Sequence, residues 1–304
     1  MRRISFAVGA LLALMLSNGR VLALDTVLYA DGFESFAGGG SPLDANTAGP
    51  NQGPNGGPGN PWFGPAPPNL RVVGAGSGIS SGAAGPHSGT QMLTASAASD
   101  FDQDWFNLAN RLNSGANFTG DVKLDWYFYD PNGAGDANYR DYAALGNYTI
   151  ASTAAASSLD YTAASGGNLN GGAVSQRLSL GAAAPAGFNS NQYQARVVGA
   201  TDGLVGGWFN VGSRSVGWHE GTIILADPNG ASTTVSFYID GINVLNHAIM
   251  NSTGVNVIEL NDGFGSTVGN YDDITFSLTP EPTSACMLAF AATLLIRRRK
   301  RCAP

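Results

Sequence analysis

Cysteine is nearly absent from this sequence. Only Cys286 and Cys302 occur in its 304 residues, both close to the C-terminus. The chain before them can hold no disulfide, no cysteine-ligated metal and no cysteine nucleophile, so its stability must come from a buried core. Cations are scarce as well. Eight of the 15 Lys and Arg residues are Arg2, Arg3, Arg20 and the run at 297–301. The stretch from Leu24 to Thr279 therefore keeps seven cations against 21 carboxylates, a formal charge of −14. A surface this acidic excludes nucleic acid and anionic membranes as partners, while permitting cations, basic proteins and neutral glycans. Amphipathic helical patterning is also almost missing. The only long apolar runs lie at the two ends.

The N-terminal run has the layout of a secretory signal. Met1-Arg2-Arg3 is basic, Ile4–Leu16 is apolar, and Val21-Leu22-Ala23 offers a small-residue cleavage site, so residues 1–23 are expected to be removed. At the other end, Pro280-Glu281-Pro282 precedes the apolar run Thr283–Ile296 and the cluster Arg297, Arg298, Arg299, Lys300 and Arg301. Fourteen residues make a helix roughly 21 Å long, short against a hydrocarbon core of about 30 Å. Snorkelling Arg and Lys stems extend its reach, and the five cations favour a cytoplasmic C-terminus.

This three-part arrangement resembles the PEP-CTERM sorting signal of bacterial exported proteins. The resemblance covers about the last 25 residues, with Cys302-Ala303-Pro304 as an unexplained addition. It implies that an exosortase processes the chain near Pro280, Glu281 and Pro282, and that the protein is exported. A membrane-anchored precursor, held by the C-terminal helix, would become a cell-surface or extracellular product. Glu281 is then a recognition element and has no catalytic role.

Between the ends, residues 24–279 read as one all-β domain. Gly38–Pro68 is rich in Gly, Pro and Asn and reads as a long surface loop pinned by Trp62. Strands are expected at Thr26–Asp31, Leu70–Val73, Gln91–Thr94, Tyr142–Ile150, Tyr193–Gly199, Thr222–Ala226, Thr233–Ile239, Ile242–Leu245, Val255–Leu260 and Ile274–Leu278. Asp102–Leu112 fits either period and is taken as strand from its surroundings. Asp121–Tyr129 alternates cleanly, with Val122, Leu124, Trp126 and Phe128 on one face; Tyr142–Ile150 is taken as its return strand. Asp240-Gly241 is a type I′ hairpin signal. The predicted architecture is an antiparallel β-sandwich, flanked by an N-terminal signal helix and a C-terminal transmembrane helix.

Trp218-His219-Glu220-Gly221, Val235–Gly241 and Tyr271-Asp272-Asp273-Ile274 resemble the closing strands of concanavalin-like (laminin-G-like) jelly rolls. Asp31-Gly32-Phe33-Glu34 suits their first strand, which would lie beside the last. The resemblance implies glycan or protein binding in many members and glycoside hydrolysis in some.

Candidate chemistry is sparse. The Glu-x-Asp-x-(x)-Glu run of the family's hydrolases is missing, and adjacent Asp272 and Asp273 should point to opposite faces of a strand. Asp100, Asp102 and Asp104 alternate and could share a face, which makes them candidate Ca2+ ligands; Asp130, Asn132 and Asp136 form a second oxygen-rich stretch. The plainer reading of both is a solvated acidic surface and a turn. His87, His219 and His247 show no metal spacing. Trp208, in the Gly-rich segment 203–212, and Trp62 are the candidate ligand-binding residues, whereas Trp126 and Trp218 are expected in the core. These readings converge on a non-enzymatic surface or matrix protein that contacts polysaccharide or a surface partner. The alternatives are a structural envelope protein without a specific ligand and, more weakly, a glycoside hydrolase.

Overall fold

The computed structural model describes residues 25–36, 41–42, 62–63, 70–74, 85–95, 101–135, 140–148, 174–183, 188–199, 208–228, 233–249, 252–263 and 268–279. The chain from Val27 to Ser277 forms one compact unit. The signal peptide, the Pro-Glu-Pro motif and the apolar tail expected from the sequence lie outside the described residues. Among the described residues, no helix is long and apolar enough to cross a membrane.

The body is almost entirely strand. In chain order the strands are β1 (Thr26–Asp31), β2 (Ser41–Pro42), β3 (Trp62–Phe63), β4 (Arg71–Gly74), β5 (Gln91–Thr94), β6 (Phe101–Asn107), β7 (Val122–Asp130) and β8 (Arg140–Tyr148). There follow β9 (Val174–Ala182), β10 (Gln192–Gly199), β11 (Trp208–Ser213), β12 (Gly217–Ala226), β13 (Thr234–Ile239), β14 (Ile242–Ala248), β15 (Val257–Gly263) and β16 (Asn270–Leu278). One short helix, α1 (Leu108–Leu112), follows β6 directly. Among the described residues, nine strands make a first sheet in the order β14-β13-β12-β7-β16-β5-β4-β2, with β1 also paired to β16. Seven make a second sheet, β11-β10-β9-β8-β15-β6-β3, antiparallel throughout. The first strand therefore lies beside the last, as expected.

The core follows from alternation. Along β7 every second residue is buried, placing Val122, Leu124, Trp126 and Phe128 inside. Gly221 of β12 pairs with Trp126, and a Cβ there would collide with the indole, so the glycine makes room for the ring. Ile223, Leu225, Val235 and Phe237 continue this inner face across β12 and β13. The second sheet contributes Ala143, Leu145, Leu178, Leu180, Ala195, Val197, Ile258 and Leu260. Phe128 of the first sheet meets Tyr193 of the second edge-on, with ring centroids 5.5 Å apart. Burying each such side chain stabilises the fold by about 1.5–3 kcal/mol.

Several elements depart from the sequence reading. Residues 108–112 are helical, because Leu108 and Ala109 turn inward against Asn256 instead of continuing a strand. β8 does not return beside β7 but crosses to the second sheet. β15 likewise leaves the β12–β14 meander and pairs with β6 and β8. The stretch 38–68 contributes two short strands, and Trp62 in one of them is 0% exposed. β9, for which the sequence gives no strand signal, is an interior strand of the second sheet, between β8 and β10.

Candidate functional site

The outer face of an antiparallel sheet is ordinarily polar and wet. The outer face of the second sheet is polar but buried, which is the informative exception. Its residues are those that alternate with the core. Reading register from strand to strand, Trp105 lies opposite Glu259, Glu259 opposite Ala144, Ala144 opposite Ser179, Ser179 opposite Arg196, and Arg196 opposite Trp208. One transverse row thus crosses six strands, a span of about 24 Å at roughly 4.8 Å per strand. A tryptophan stands at each end, and small Ala144 and Ser179 lie in the middle.

Tyr142 and Arg177 flank the row and meet above its small residues. Gly146 pairs with Arg177 and Gly181 with Tyr142, so neither large side chain has a competing neighbour on that side. Gly181 sits at φ 146°, and a Cβ there would strike the Asp141–Tyr142 backbone, so close approach of β9 to β8 requires glycine. The Arg177 guanidinium donates from Nη2 to the Tyr142 hydroxyl at 3.2 Å and forms an ion pair with Glu259. It also lies over the Tyr142 ring at 5.3 Å. Tyr142 meets Trp208 edge-on at 6.2 Å, and Arg196 lies over the Trp208 ring at 5.1 Å. The result is one connected network of two arginines, a carboxylate, a phenol and an indole.

Exposure rises across this face. Glu259 and Arg177 are at most 1% exposed, Tyr142 is 5% and Arg196 6%, Trp208 is half-buried and Asn210 is exposed. The network is closed at β15 and open at β11. A buried ion pair contributes little net stability, since desolvation of both ions offsets their attraction, whereas it fixes geometry strongly. Such a face can bind a polar ring against Trp208 and present directed donors to its substituents. Glu259 is the only carboxylate on this face among the described residues, so the paired carboxyls of a glycosidase are not assembled here.

The residues nominated from sequence are scattered. Trp208 lies on this face, on a strand and not in a loop. Trp62 is a core ring, edge-on to Phe106 at 5.3 Å and donating from Nε1 to the Tyr29 hydroxyl, so it has no face to offer a ligand. Asp104 is wholly buried and accepts from the Leu70 amide at 2.8 Å, which withdraws it from any surface cation. Asp100 and the side chain of Asp102 lie outside the described residues. Asp130 grips Arg214 through both oxygens at 2.8 Å and accepts from the Asn132 and Gly133 amides. Burial alone would raise its pKa, but Arg214 and these donors hold it below the usual carboxylate range. Among the described residues no three metal-binding side chains converge.

Trp218, expected in the core, is half-buried on the outer face of the first sheet. It meets Tyr129 and His87 edge-on and donates from Nε1 to Gly85 O at 3.2 Å, while His87 stacks on Tyr127 at 3.5 Å. This cluster straps the segment 85–91 onto the sheet. Asp273 adopts φ 47°, which breaks alternation, so both it and Asp272 bind that segment: Ser88 Oγ donates to Asp273 at 2.7 Å and the Ser88 amide to Asp272 at 3.0 Å. Glu34 holds the other side through the Thr90 and Gln91 amides.

His219 brings together a serine and an aspartate that sequence spacing did not connect. Its Nδ1 is 2.8 Å from Asp240 and its Nε2 is 3.2 Å from Ser215 Oγ. The same Nε2 is closer, 2.9 Å, to the Ser215 carbonyl, which can only accept. That contact calls for an N–H at Nε2, where a general base needs a lone pair. The trio therefore clasps the β11–β12 loop to the β13–β14 turn and does not assemble a nucleophile.

The molecule is thus a two-sheet antiparallel β protein with a charged, aromatic face on one sheet. No family model matches the sequence, and a search of curated proteins finds no match. Among solved structures it is similar to a carbohydrate esterase from a Shiga toxin-encoding bacteriophage, at 12% identity and TM-score 0.45 over 84% of this chain and 100% of that one. It is similar to endo-β-1,4-glucuronan lyase of the fungus Trichoderma reesei, at 13% and 0.43 over 72% and 92%. The carbohydrate recognition domain of Emp47p matches at 8% and 0.41 over 71% and 90%. Likeness of this degree says nothing about ligand or activity.

Proposed function

We propose that this chain is an exported surface or matrix protein whose body binds polysaccharide, without catalysis, along the outer face of the second sheet. The observation that carries this reading is the transverse row ending at Trp208, with Tyr142, Arg177 and Arg196 linked beside it. A half-buried indole backed by a guanidinium is held rigidly, and a rigid apolar ring suits the apolar face of a sugar. The adjoining donors are already fixed by the Arg177–Glu259 pair, so little ordering cost remains on binding. Delivery to the surface is assigned to the C-terminal signal, with exosortase as the processing partner.

Titration of the purified full-length chain against a polysaccharide panel tests the binding reading. Trp208→Ala should weaken whatever binding is found by about ten- to a hundredfold while leaving the circular dichroism spectrum intact. Unchanged affinity in that variant would remove the role assigned to this face.

A further inference from the structure

We infer that the polysaccharide taken by the second sheet is an uncharged one, held at the open edge that β10 and β11 form. The inference rests on the binding reading above and narrows it to a ligand class and a place. Three observations support it. First, this edge is accessible. Trp208 and Gln192 are half-buried, and Asn189, Asn191, Asn210 and Ser213 are exposed. Register gathers the strand residues on one surface: Trp208 pairs with Arg196, Asn210 with Gln194 and Ser213 with Gln192. The register shifts between the last two pairs, so that Val211 and Gly212 together oppose Tyr193. The extra residue of this bulge returns Ser213 to the outer face, beside Trp208 and Asn210.

Second, the edge carries no accessible charge. Arg196 is the one charged residue in 188–199 and 208–213, and it is 6% exposed and lies over the Trp208 ring. What meets solvent is amide and hydroxyl, from Asn189, Asn191, Gln192, Asn210 and Ser213. These groups both donate and accept, as sugar hydroxyls do. A polyanion finds no exposed cation here, and the acid excess of the chain repels it. A polycation finds no exposed carboxylate. Third, the rim is held in place. Arg214, locked by Asp130, donates from Nη1 to Ser190 O and from its amide to Asn191 O, both at 3.0 Å. The Asn210 Oδ1 accepts from the Asn189 amide and from Gln194 Nε2, both at 3.3 Å. That orients the Asn210 side chain and leaves its Nδ2 as a fixed donor, with little ordering cost on binding. Trp208 and Asn210 stand about 7 Å apart along β11. A sugar ring stacked on the indole thus brings a hydroxyl to that amide.

Calorimetry on the purified full-length chain with a β-glucan, a galactomannan, the same β-glucan carboxymethylated, and polygalacturonate tests this. The expected result is binding of at least one neutral polymer about tenfold or more tighter than either anionic one, with an affinity that salt changes by less than about twofold. Asn210→Asp keeps the oxygen that Asn189 and Gln194 use and replaces the Nδ2 donor with an acceptor. Its melting temperature should hold, while affinity for the neutral polymer falls by about three- to tenfold. Equal or tighter binding of the carboxymethylated glucan or of polygalacturonate would overturn the uncharged class and leave polysaccharide binding standing. Unchanged affinity in Asn210→Asp would overturn the place assigned at this edge. Failure of every polymer to bind would overturn the binding reading itself.

Discussion

Asp272 and Asp273 illustrate how single residues depart from simple strand rules. A left-handed φ at Asp273 turns both carboxylates toward the segment 85–91. Burial, reinforced by the neighbouring charge of Asp273, pushes the Asp272 pKa up to about 7, against the pull of the Ser88 and Asp273 amides. The folded state therefore holds this proton more tightly than the unfolded chain, whose Asp titrates near 3.9. Stability linked to Asp272 is complete below about pH 4 and declines as pH rises to about 7, the reverse of a salt-bridged carboxylate. Asp130 works in the opposite sense, its contribution fading in acid as it becomes protonated. Chemical denaturation between pH 4 and 8 should show the decline in wild type and a flatter profile in Asp272→Asn. An unaltered slope in the variant would assign the decline to other groups.

At the scale of elements, much of the β structure was legible. β7 and β13 followed from strict alternation, and the Asp240-Gly241 turn followed from its dipeptide. The turn has φ 51° and 72° at those positions, the type I′ pattern. Gly241→Ala should cost about 1–2 kcal/mol by forcing a Cβ into the left-handed region, readable as a lower melting temperature. An unchanged melting temperature would mean that the hairpin relaxes to another turn. β9 was not legible, because Val174–Ala182 mixes Arg, Gln, Ser and Gly with its leucines. Its polar residues face other side chains instead of water, so burial and hydrophobicity part company. For the same reason the arginine-bearing face escaped notice: nothing local marks Arg177 and Arg196 as neighbours. Trp208 was nominated from a glycine-rich context, of which the described part, Trp208–Gly212, lies in the edge strand β11.

At the scale of the whole molecule, the sequence proposes roles for the ends and the structure describes the body. Replacing Pro280-Glu281-Pro282 with three alanines should leave export intact and leave a full-length, membrane-associated form on fractionation and immunoblotting. Normal maturation of that variant would rule out the sorting role. The sequence by itself determined the all-β class, the absence of cysteine before Cys286 and the acid excess, and it raised the expectation of terminal signals, because these depend on composition and on short local patterns. Only the tertiary structure decided which strands share a sheet, that Trp62 is core and Trp218 is surface, and that Trp105, Glu259, Ser179, Arg196 and Trp208 form one row. Those facts depend on pairings between segments up to about 240 residues apart, as between β1 and β16, and strand pairing across such distances leaves no periodic trace in the chain.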